Sequence, residues 1–400
     1  MHVLIADSLS SVCVEGLQAA GCTIHMDPSL SGDTLAEALE AQSPDVLVVR
    51  STKVDAAAFA AAPGLMLVVR AGAGTNTIDV RTASSRGVYV SNCPGKNAVA
   101  VAELAWGLIL AADREIPNTV RDLRAGQWNK KRYEGGYGLA GRTLGIVGLG
   151  QIGAEMVPRA LAFGMDVVAW SHGMTEAQAK ALRVRRVETI EELAAASDVV
   201  TVHVALVPAT RGLIGADFFA QLRPGAIFVN TSRGEVVDEG ALLTAVEERG
   251  LRCGLDVWCD EPAKSPAPFD RALARHERVF GTHHIGASTA QAQEAVADEV
   301  VRIVASFKRT GVVPNCVNLC ETSVATHVLI VRHRDEVGVL ASVLDAIQAA
   351  GINVQEMENV IFEGSEAAVA KIRIEAPPDA AALARINARP EVISARVVAL

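Results

Sequence analysis

The stretch Thr143-Leu144-Gly145-Ile146-Val147-Gly148-Leu149-Gly150-Gln151-Ile152-Gly153 decides the fold. Its first five residues read as a short apolar strand. Three glycines follow in G-x-G-x-x-G spacing, and an amphipathic segment begins at once. The spacing alone is weak evidence. Between a strand and a helix it becomes specific. Gly148 permits the tight turn, Gly150 lets backbone approach a pyrophosphate, and Gly153 lets the helix close on the strand. The amides around Gln151 and Ile152 then meet an anion at the positive end of the helix.

Working outward, the same alternation continues on both sides. Downstream lie the apolar runs 167–170, 199–202, 226–229 and 254–257, with helical patterns between them. Upstream lie 3–6, 23–25, 46–49 and 65–69, separated by amphipathic segments at 12–20 and 34–41. Continuous short apolar runs between helices indicate parallel sheets covered on both faces. The expectation is two doubly wound α/β domains of Rossmann or flavodoxin type. Residues 98–112 are apolar except for Glu103. A helix of that kind is buried, at a domain hinge or against another subunit.

The character changes after residue 310. Residues 310–323 read as a linker. Beyond it come a strand (327–331), a helix (339–350, stopped by Gly351), strands at 353–361 and 367–374, a helix (380–388) and a last strand (392–398). This order fits a small α+β domain.

Composition bounds the function. Of 400 residues, 50% are hydrophobic and 21% charged, which is ordinary globular usage. The net charge of -9 argues against a general nucleic-acid or anionic-membrane binder. A small anionic ligand would need a local basic cluster. The seven cysteines (13, 22, 93, 253, 259, 316 and 320) are odd in number and lack zinc-ribbon spacing. Reduced thiols, no metal and a cytoplasmic location are expected. The opening Met1-His2-Val3-Leu4-Ile5-Ala6-Asp7 has no basic segment before an apolar run, so no signal peptide is expected. The uncharged stretch 56–69 holds Pro63 and Gly64 and is too short to span a bilayer.

Three residues stand where open α/β sheets place ligands, past the carboxyl ends of strands. Arg233 lies in Asn230-Thr231-Ser232-Arg233-Gly234, Glu261 in Asp256-Val257-Trp258-Cys259-Asp260-Glu261-Pro262, and His284 in His284-Ile285-Gly286-Ala287-Ser288-Thr289. Arginine grips a carboxylate with a bidentate fork. Histidine takes a hydroxyl proton near neutral pH, and a neighbouring glutamate favours its charged form. Taken singly, each reads as a surface ion pair or a bonded loop histidine. Together, beside a dinucleotide motif, they read as a catalytic trio. His283 is the competitor, and the residues after His284 favour His284. After the second strand of the nucleotide series stands Ser171, where NAD sites usually carry a carboxylate. Arg183, Arg185 and Arg186 lie further on. NAD is the expected cofactor, with NADP left open.

At these residues the chain resembles the D-isomer-specific 2-hydroxyacid dehydrogenases. The motifs are Arg50-Ser51-Thr52-Lys53, Arg70-Ala71-Gly72-Ala73-Gly74, residues 148–153, 230–234 and 237–242, and the two loops just quoted. The resemblance implies a split substrate domain (1–95 with 287–318) around a nucleotide domain (96–286). It implies Arg233, Glu261 and His284 as catalytic residues. Gly148, Gly150, Gln151, Ile152, Gly153, Ser171, Thr231, Ser232, Arg233, Asp256, His284 and Gly286 would line the cofactor. Arg50, Lys53, Arg70 and the Gly72-Ala73-Gly74 backbone would bind a small anionic 2-hydroxy acid. Oxidation of 3-phosphoglycerate with NAD is the activity implied. The alternatives are an NADPH-dependent reductase of glyoxylate or hydroxypyruvate, and a non-catalytic NADH-sensing corepressor. A homodimer or homotetramer is implied. Residues 325–400 resemble a regulatory ACT domain. His333, Asp335 and Asn353 would contact a serine effector, with Asp335 replacing the usual Asn. An acceptor-only carboxylate cannot donate as an amide does.

Overall fold

The computed structural model describes residues 1–262, 266–320 and 322–400. They form two compact units, Met1–Asn318 and Leu319–Leu400. In the first unit, strands β1 (His2–Ile5), β2 (Thr23–Met26), β3 (Val46–Val49), β4 (Leu67–Arg70) and β5 (Tyr89–Asn92) build a parallel sheet in the order β2-β1-β3-β4-β5. That is the flavodoxin-like order. Strands β6 (Thr143–Val147), β7 (Asp166–Trp170), β8 (Arg185–Arg186), β9 (Val199–Val202), β10 (Ile227–Asn230), β11 (Arg252–Leu255) and β12 (Val279–Gly281) build the second sheet. Its order is β12-β11-β10-β9-β6-β7-β8, all parallel, with the chain reversing direction between β6 and β9. Ligands bind outside such a switch point, at the carboxyl ends of the strands.

The inner strands of both sheets are buried on both faces, as their unbroken apolar runs require. Val3, Ile5, Val46, Val48, Leu67 and Val69 face the helix Ala290–Thr310, through Ala297, Val300, Ile303 and Val304. This helix returns the chain to the first sheet after the second is complete. The apolar helix Ala98–Arg114 packs on the second sheet instead, with Ala105, Leu108 and Ile109 against Leu144, Val229 and Phe280. Gly254 makes that approach possible, since a Cβ there would stand 2.7 Å from the Leu108 Cβ.

Three sequence expectations shift. The 254–257 run ends as a strand at Leu255, because Asp256 turns its carboxylate to a neighbouring loop (below). Strand β5 was hidden by its polar Ser91 and Asn92. The linker expected over 310–323 begins as the end of a helix and then joins the first unit. Ser91 Oγ donates to the Pro314 carbonyl at 2.6 Å, the Val317 amide to the Val90 carbonyl at 2.8 Å, and the Val90 amide to Asn318 Oδ1 at 2.8 Å. Residues 314–318 therefore cover the open edge of β5, a protection that edge strands need.

Glu299 ties this arrangement together. Its side chain is only 6% exposed and accepts from Arg302 Nε (3.0 Å) and Asn315 Nδ2 (2.7 Å), with Lys96 Nζ at 3.3 Å. It thus joins the returning helix, the segment before the crossing helix and the start of the tail.

In the second unit, β13 (His327–Arg334), β14 (Val354–Ile361), β15 (Ala367–Ile374) and β16 (Val392–Ala399) form an antiparallel sheet in the order β14-β15-β13-β16. Helices Val339–Ala349 and Ala380–Asn387 cover one face, with Val343, Ile347 and Ile386 on Leu329, Val331 and Ile372. The element order is the expected one. Among the described residues no helix is long and apolar enough to cross a membrane, no acid–His–Cys cluster could hold a metal, and all seven cysteines are unpaired.

The bond from Arg302, followed by those from Asn315 and Lys96, outweighs desolvation and lowers the Glu299 carboxyl to about 2. A depressed folded value stabilises the fold above the unfolded carboxylate range, about pH 4.3, and the effect fades as pH falls towards 2. Urea midpoints measured across that window should fall more gently in Glu299→Gln than in the parent chain.

Candidate functional site

The glycine loop leaves β6 at the switch point. Gly148 has φ +94°, and a Cβ there would stand 2.7 Å from the His203 carbonyl oxygen. A Cβ on Gly153 would collide with the Gly148 carbonyl. The protein's own packing explains these two glycines. Gly150 is different: no atom lies within 4 Å of where its Cβ would be. It precedes helix Gln151–Ala162 with no side chain capping the helix start. An open cradle over uncapped amides fits a pyrophosphate. Thr231 and Ser232 lie at the neighbouring exit of β10, both buried. Their hydroxyls turn inward, Ser232 Oγ donating to Asn230 Oδ1 (2.7 Å) and Thr231 Oγ lying 3.4 Å from His203 Nδ1. His203 was not anticipated. Burial lowers its imidazole to about 3, so it is neutral at the wall of this site. Ser171 is half-buried directly after β7.

Further along the same carboxyl edge, past β11 and β12, His284 Nδ1 meets Glu261 Oε2 at 2.7 Å. Glu261 Oε1 accepts the Trp258 amide at 3.0 Å. Burial alone would raise the Glu261 carboxyl, but the His284 bond and the Trp258 amide outweigh it and hold it below its ordinary value. His284 has φ +54°, a left-handed conformation uncommon for a non-glycine residue. Among the described residues the competitor His283 makes no such bond. Asp256, 1% exposed, accepts from Thr282 Oγ1 (2.7 Å), Ile285 N (2.8 Å) and Gly286 N (2.9 Å). The two residues expected to face the cofactor, Asp256 and Gly286, are therefore bonded to each other.

Facing these groups is a cavity of about 280 Å³ lined by Arg50, Arg70, Gly72, Asn97, Ser10 and His284, among others. Arg70 is half-buried, and its Nε, shielded from solvent, lacks a partner among the described residues. Desolvation, then the positive charges of Arg233 and Arg50, lower its guanidinium to about 10. It remains charged at neutral pH. Gly72 has φ +153°, a conformation side chains rarely adopt, and a Cβ there would also displace the Arg70 guanidinium. Gly74 lies against Arg233, whose Nη2 would stand 2.7 Å from a Cβ there. Ala73 presents its carbonyl to Asn92. Asp7, unanticipated, shapes the Arg50 loop, accepting from the amides of Arg50 (2.6 Å), Ser51 (3.1 Å) and Thr52 (3.1 Å) and from Ser51 Oγ (2.7 Å). Its signal was position, just past the end of β1. Lys53 is exposed and is not among the residues that line the cavity.

In the second unit, His333 is 1% exposed and bonded to the Arg334 carbonyl (2.7 Å) and Asn359 Oδ1 (3.1 Å). Asp335 is exposed. Asn353 donates to Glu375 at 3.2 Å. His333 pairs with Ala368 and Val354 with Ile374, at opposite ends of β15. That separation is roughly 20 Å at about 3.3 Å per residue, so one chain does not bring His333 and Asn353 together.

Residues 106–286 match the family model for the D-isomer specific 2-hydroxyacid dehydrogenase, NAD binding domain. This part of the chain is thus the NAD-binding domain of a D-isomer specific 2-hydroxyacid dehydrogenase. The chain is similar to the D-3-phosphoglycerate dehydrogenase of Methanocaldococcus jannaschii, 38% identical over 321 residues, spanning 80% of this chain and 60% of that one. It is 39% identical over 317 residues to the Rattus norvegicus D-3-phosphoglycerate dehydrogenase, spanning 78% of this chain and 58% of that one. The chain thus spans about three fifths of the length of these relatives. The NAD+-bound 3-phosphoglycerate dehydrogenase of Entamoeba histolytica superposes with a TM-score of 0.67 and 26% identity, over 80% of this chain and 99% of that one.

The glycines of this loop separate two effects. Gly150→Ala should keep the parent melting temperature and weaken NADH binding about tenfold or more, roughly 1.4 kcal/mol. Gly153→Ala should lower the melting temperature itself. Thermal denaturation and nicotinamide fluorescence titration check both.

Proposed function

We propose that this dehydrogenase oxidises 3-phosphoglycerate to 3-phosphohydroxypyruvate with NAD, as a D-3-phosphoglycerate dehydrogenase feeding serine biosynthesis. The observation that carries the reading is the cavity where Arg50 and half-buried Arg70, with Arg233 close enough to depress Arg70's pKa, converge beside the His284–Glu261 pair. Residues 1–95 with 287–318 serve as the substrate domain, 96–286 as the cofactor domain and 325–400 as the ACT regulatory domain.

Bound NAD supplies the hydride acceptor. The chain's own residues do the rest. Nδ1–H of His284 donates to Glu261, which leaves Nε2 unprotonated and free to take the proton of the 2-hydroxyl. Glu261 then faces the imidazolium. Arg233 holds the substrate carboxylate with a two-point grip, and Arg50 and Arg70 hold the phosphate as fixed cations. Three cations around one small cavity suit a trianionic substrate better than glyoxylate or hydroxypyruvate. The intact trio favours an enzyme over a corepressor. Seven unpaired thiols suit a reducing cytoplasm. Serine, if it bridges His333 and Asn353, needs two chains, which favours a homodimer or a larger even assembly.

The test follows reduced nicotinamide by absorbance, with 3-phosphoglycerate and NAD or NADP, and with phosphohydroxypyruvate and NADH or NADPH. Rapid turnover of the phosphorylated pair with NAD is expected. Turnover of glyoxylate or hydroxypyruvate alone would overturn the substrate. His284→Ala should lower kcat about 10²- to 10⁴-fold with little change in NADH affinity. Arg70→Gln should raise KM for 3-phosphoglycerate about 10- to 100-fold, the worth of a bond to a charged group.

A further inference from the structure

We infer that Ser10 is a further substrate-binding residue, its hydroxyl donating to the phosphate group alongside Arg50 and Arg70. The inference deepens the reading of the chain as a 3-phosphoglycerate dehydrogenase and rests on that reading for the identity of the anion.

Ser10 stands past the carboxyl end of β1, immediately before helix Ser11–Ala19. A serine there ordinarily turns its hydroxyl onto the second or third amide of the helix. Ser10 makes no such capping bond. Its Oγ is shielded from water and has no partner among the described residues. A shielded polar group without a partner costs stability, and each one in a folded chain needs a reason. The other serines of the cavity differ. Ser51 Oγ is committed to Asp7 at 2.7 Å, and Ser288 is exposed.

A second unpaired group belongs to the same cavity. Arg70 Nε is also shielded and unpartnered, and Arg70 and Ser10 both line the space of about 280 Å³. An arginine N–H only donates, whereas a serine hydroxyl donates or accepts. An oxygen-bearing anion in the cavity satisfies both, once the hydroxyl rotates towards it. The charges of Arg233 and Arg50 around Arg70 strengthen that preference. Phosphate offers several acceptor oxygens, enough for guanidinium groups and a hydroxyl together.

Position selects the phosphate over the carboxylate. The first sheet runs β2-β1-β3-β4-β5. Ser10 follows β1, Arg50 follows β3 and Arg70 ends β4, so three neighbouring strand exits supply the three groups. Arg233 belongs to the second sheet and meets this row at Gly74, beyond β4. Ser10 therefore stands at the end of the row remote from the group that holds the carboxylate. Its loop is already fixed to the Arg50 loop. Asp7 accepts three amides there, and Thr52 Oγ1 donates to the Ala6 carbonyl at 3.0 Å.

The experiment compares Ser10→Ala, Ser10→Thr and Ser10→Asp. In Ser10→Ala, KM for 3-phosphoglycerate should rise about tenfold, with kcat, NADH affinity and melting temperature unchanged. KM for hydroxypyruvate, which has no phosphate, should stay at the parent value. Ser10→Thr keeps the hydroxyl and should restore most of the loss. Aspartate caps a helix as well as serine does but sets a carboxylate against the phosphate, so Ser10→Asp should raise KM above that of Ser10→Ala. A serine that only caps gives the opposite pattern: Ser10→Ala melts lower, Ser10→Asp melts like the parent, and KM does not move. That pattern would overturn the inference, as would an equal rise in KM for hydroxypyruvate. Failure of the substrate reading looks different, since the parent chain would then not turn over 3-phosphoglycerate. Inorganic phosphate probes the site in that case. It should raise the melting temperature of the parent more than that of Ser10→Ala, and equal or absent rises in both would overturn the inference.

Discussion

Parallel strands end together at one edge, and the amides of the loops beyond that edge have no partner strand. What receives those amides decides where every functional side chain stands. In this molecule buried acceptor side chains take over from the sheet. Asp7, just past β1, collects three amides of the Arg50 loop. Asp256, just past β11, collects two amides and a hydroxyl of the His284 loop. Asn230 does the same for Ser232 at the exit of β10. A carboxylate is suited to this because it accepts several bonds at once and donates none. Its burial is tolerated because each lone pair meets an N–H or O–H. The loops are therefore rigid without being regular, as an oriented acid–base pair requires.

The second constraint is charge. The chain carries -9 overall, yet its cavity gathers guanidinium groups. Arg70 is there against its own desolvation and against the repulsion of Arg233 and Arg50. A protein does not keep such a cluster for stability, since like charges in a partly buried space oppose folding. An anion of matching charge relieves both penalties together. The negative surface beyond does not cancel this local field, because the cavity walls screen it poorly compared with water.

Much of this was legible in the residues. The Gly148–Gly153 spacing between a strand and a helix announced the switch point, and Glu261 and His284 were found because both follow strands of the same sheet. The legible features were those fixed by chain position. What depended on side-chain direction was not. Lys53 sits in the same motif as Arg50 but is exposed and absent from the cavity lining, which no local pattern records. Thr231 and Ser232 lie in the expected loop with hydroxyls turned to protein partners. β5 escaped notice because Ser91 and Asn92 interrupt its apolar run, and its edge is completed by residues 314–318 from more than two hundred positions away. Asp7 offered only its place after a strand, and an aspartate there is common in turns.

Ser171 shows how a departure in sequence is absorbed by packing. A carboxylate is usual at that place because it accepts the ribose hydroxyls and repels a 2′-phosphate. A serine there does neither strongly, and the arginines downstream invite the opposite reading. The structure puts Arg186 on β8, beside β7, where Glu188 grips it through both guanidinium nitrogens and Glu176 lies at 3.7 Å. A guanidinium already held by two carboxylates has little charge left for a phosphate. The Glu188 carbonyl also accepts the Trp170 indole N–H at 3.2 Å, which fixes that acidic turn beside the end of β7. Arg186 is thus committed to carboxylates of its own neighbourhood, which removes one of the three downstream arginines from the set that could greet a 2′-phosphate.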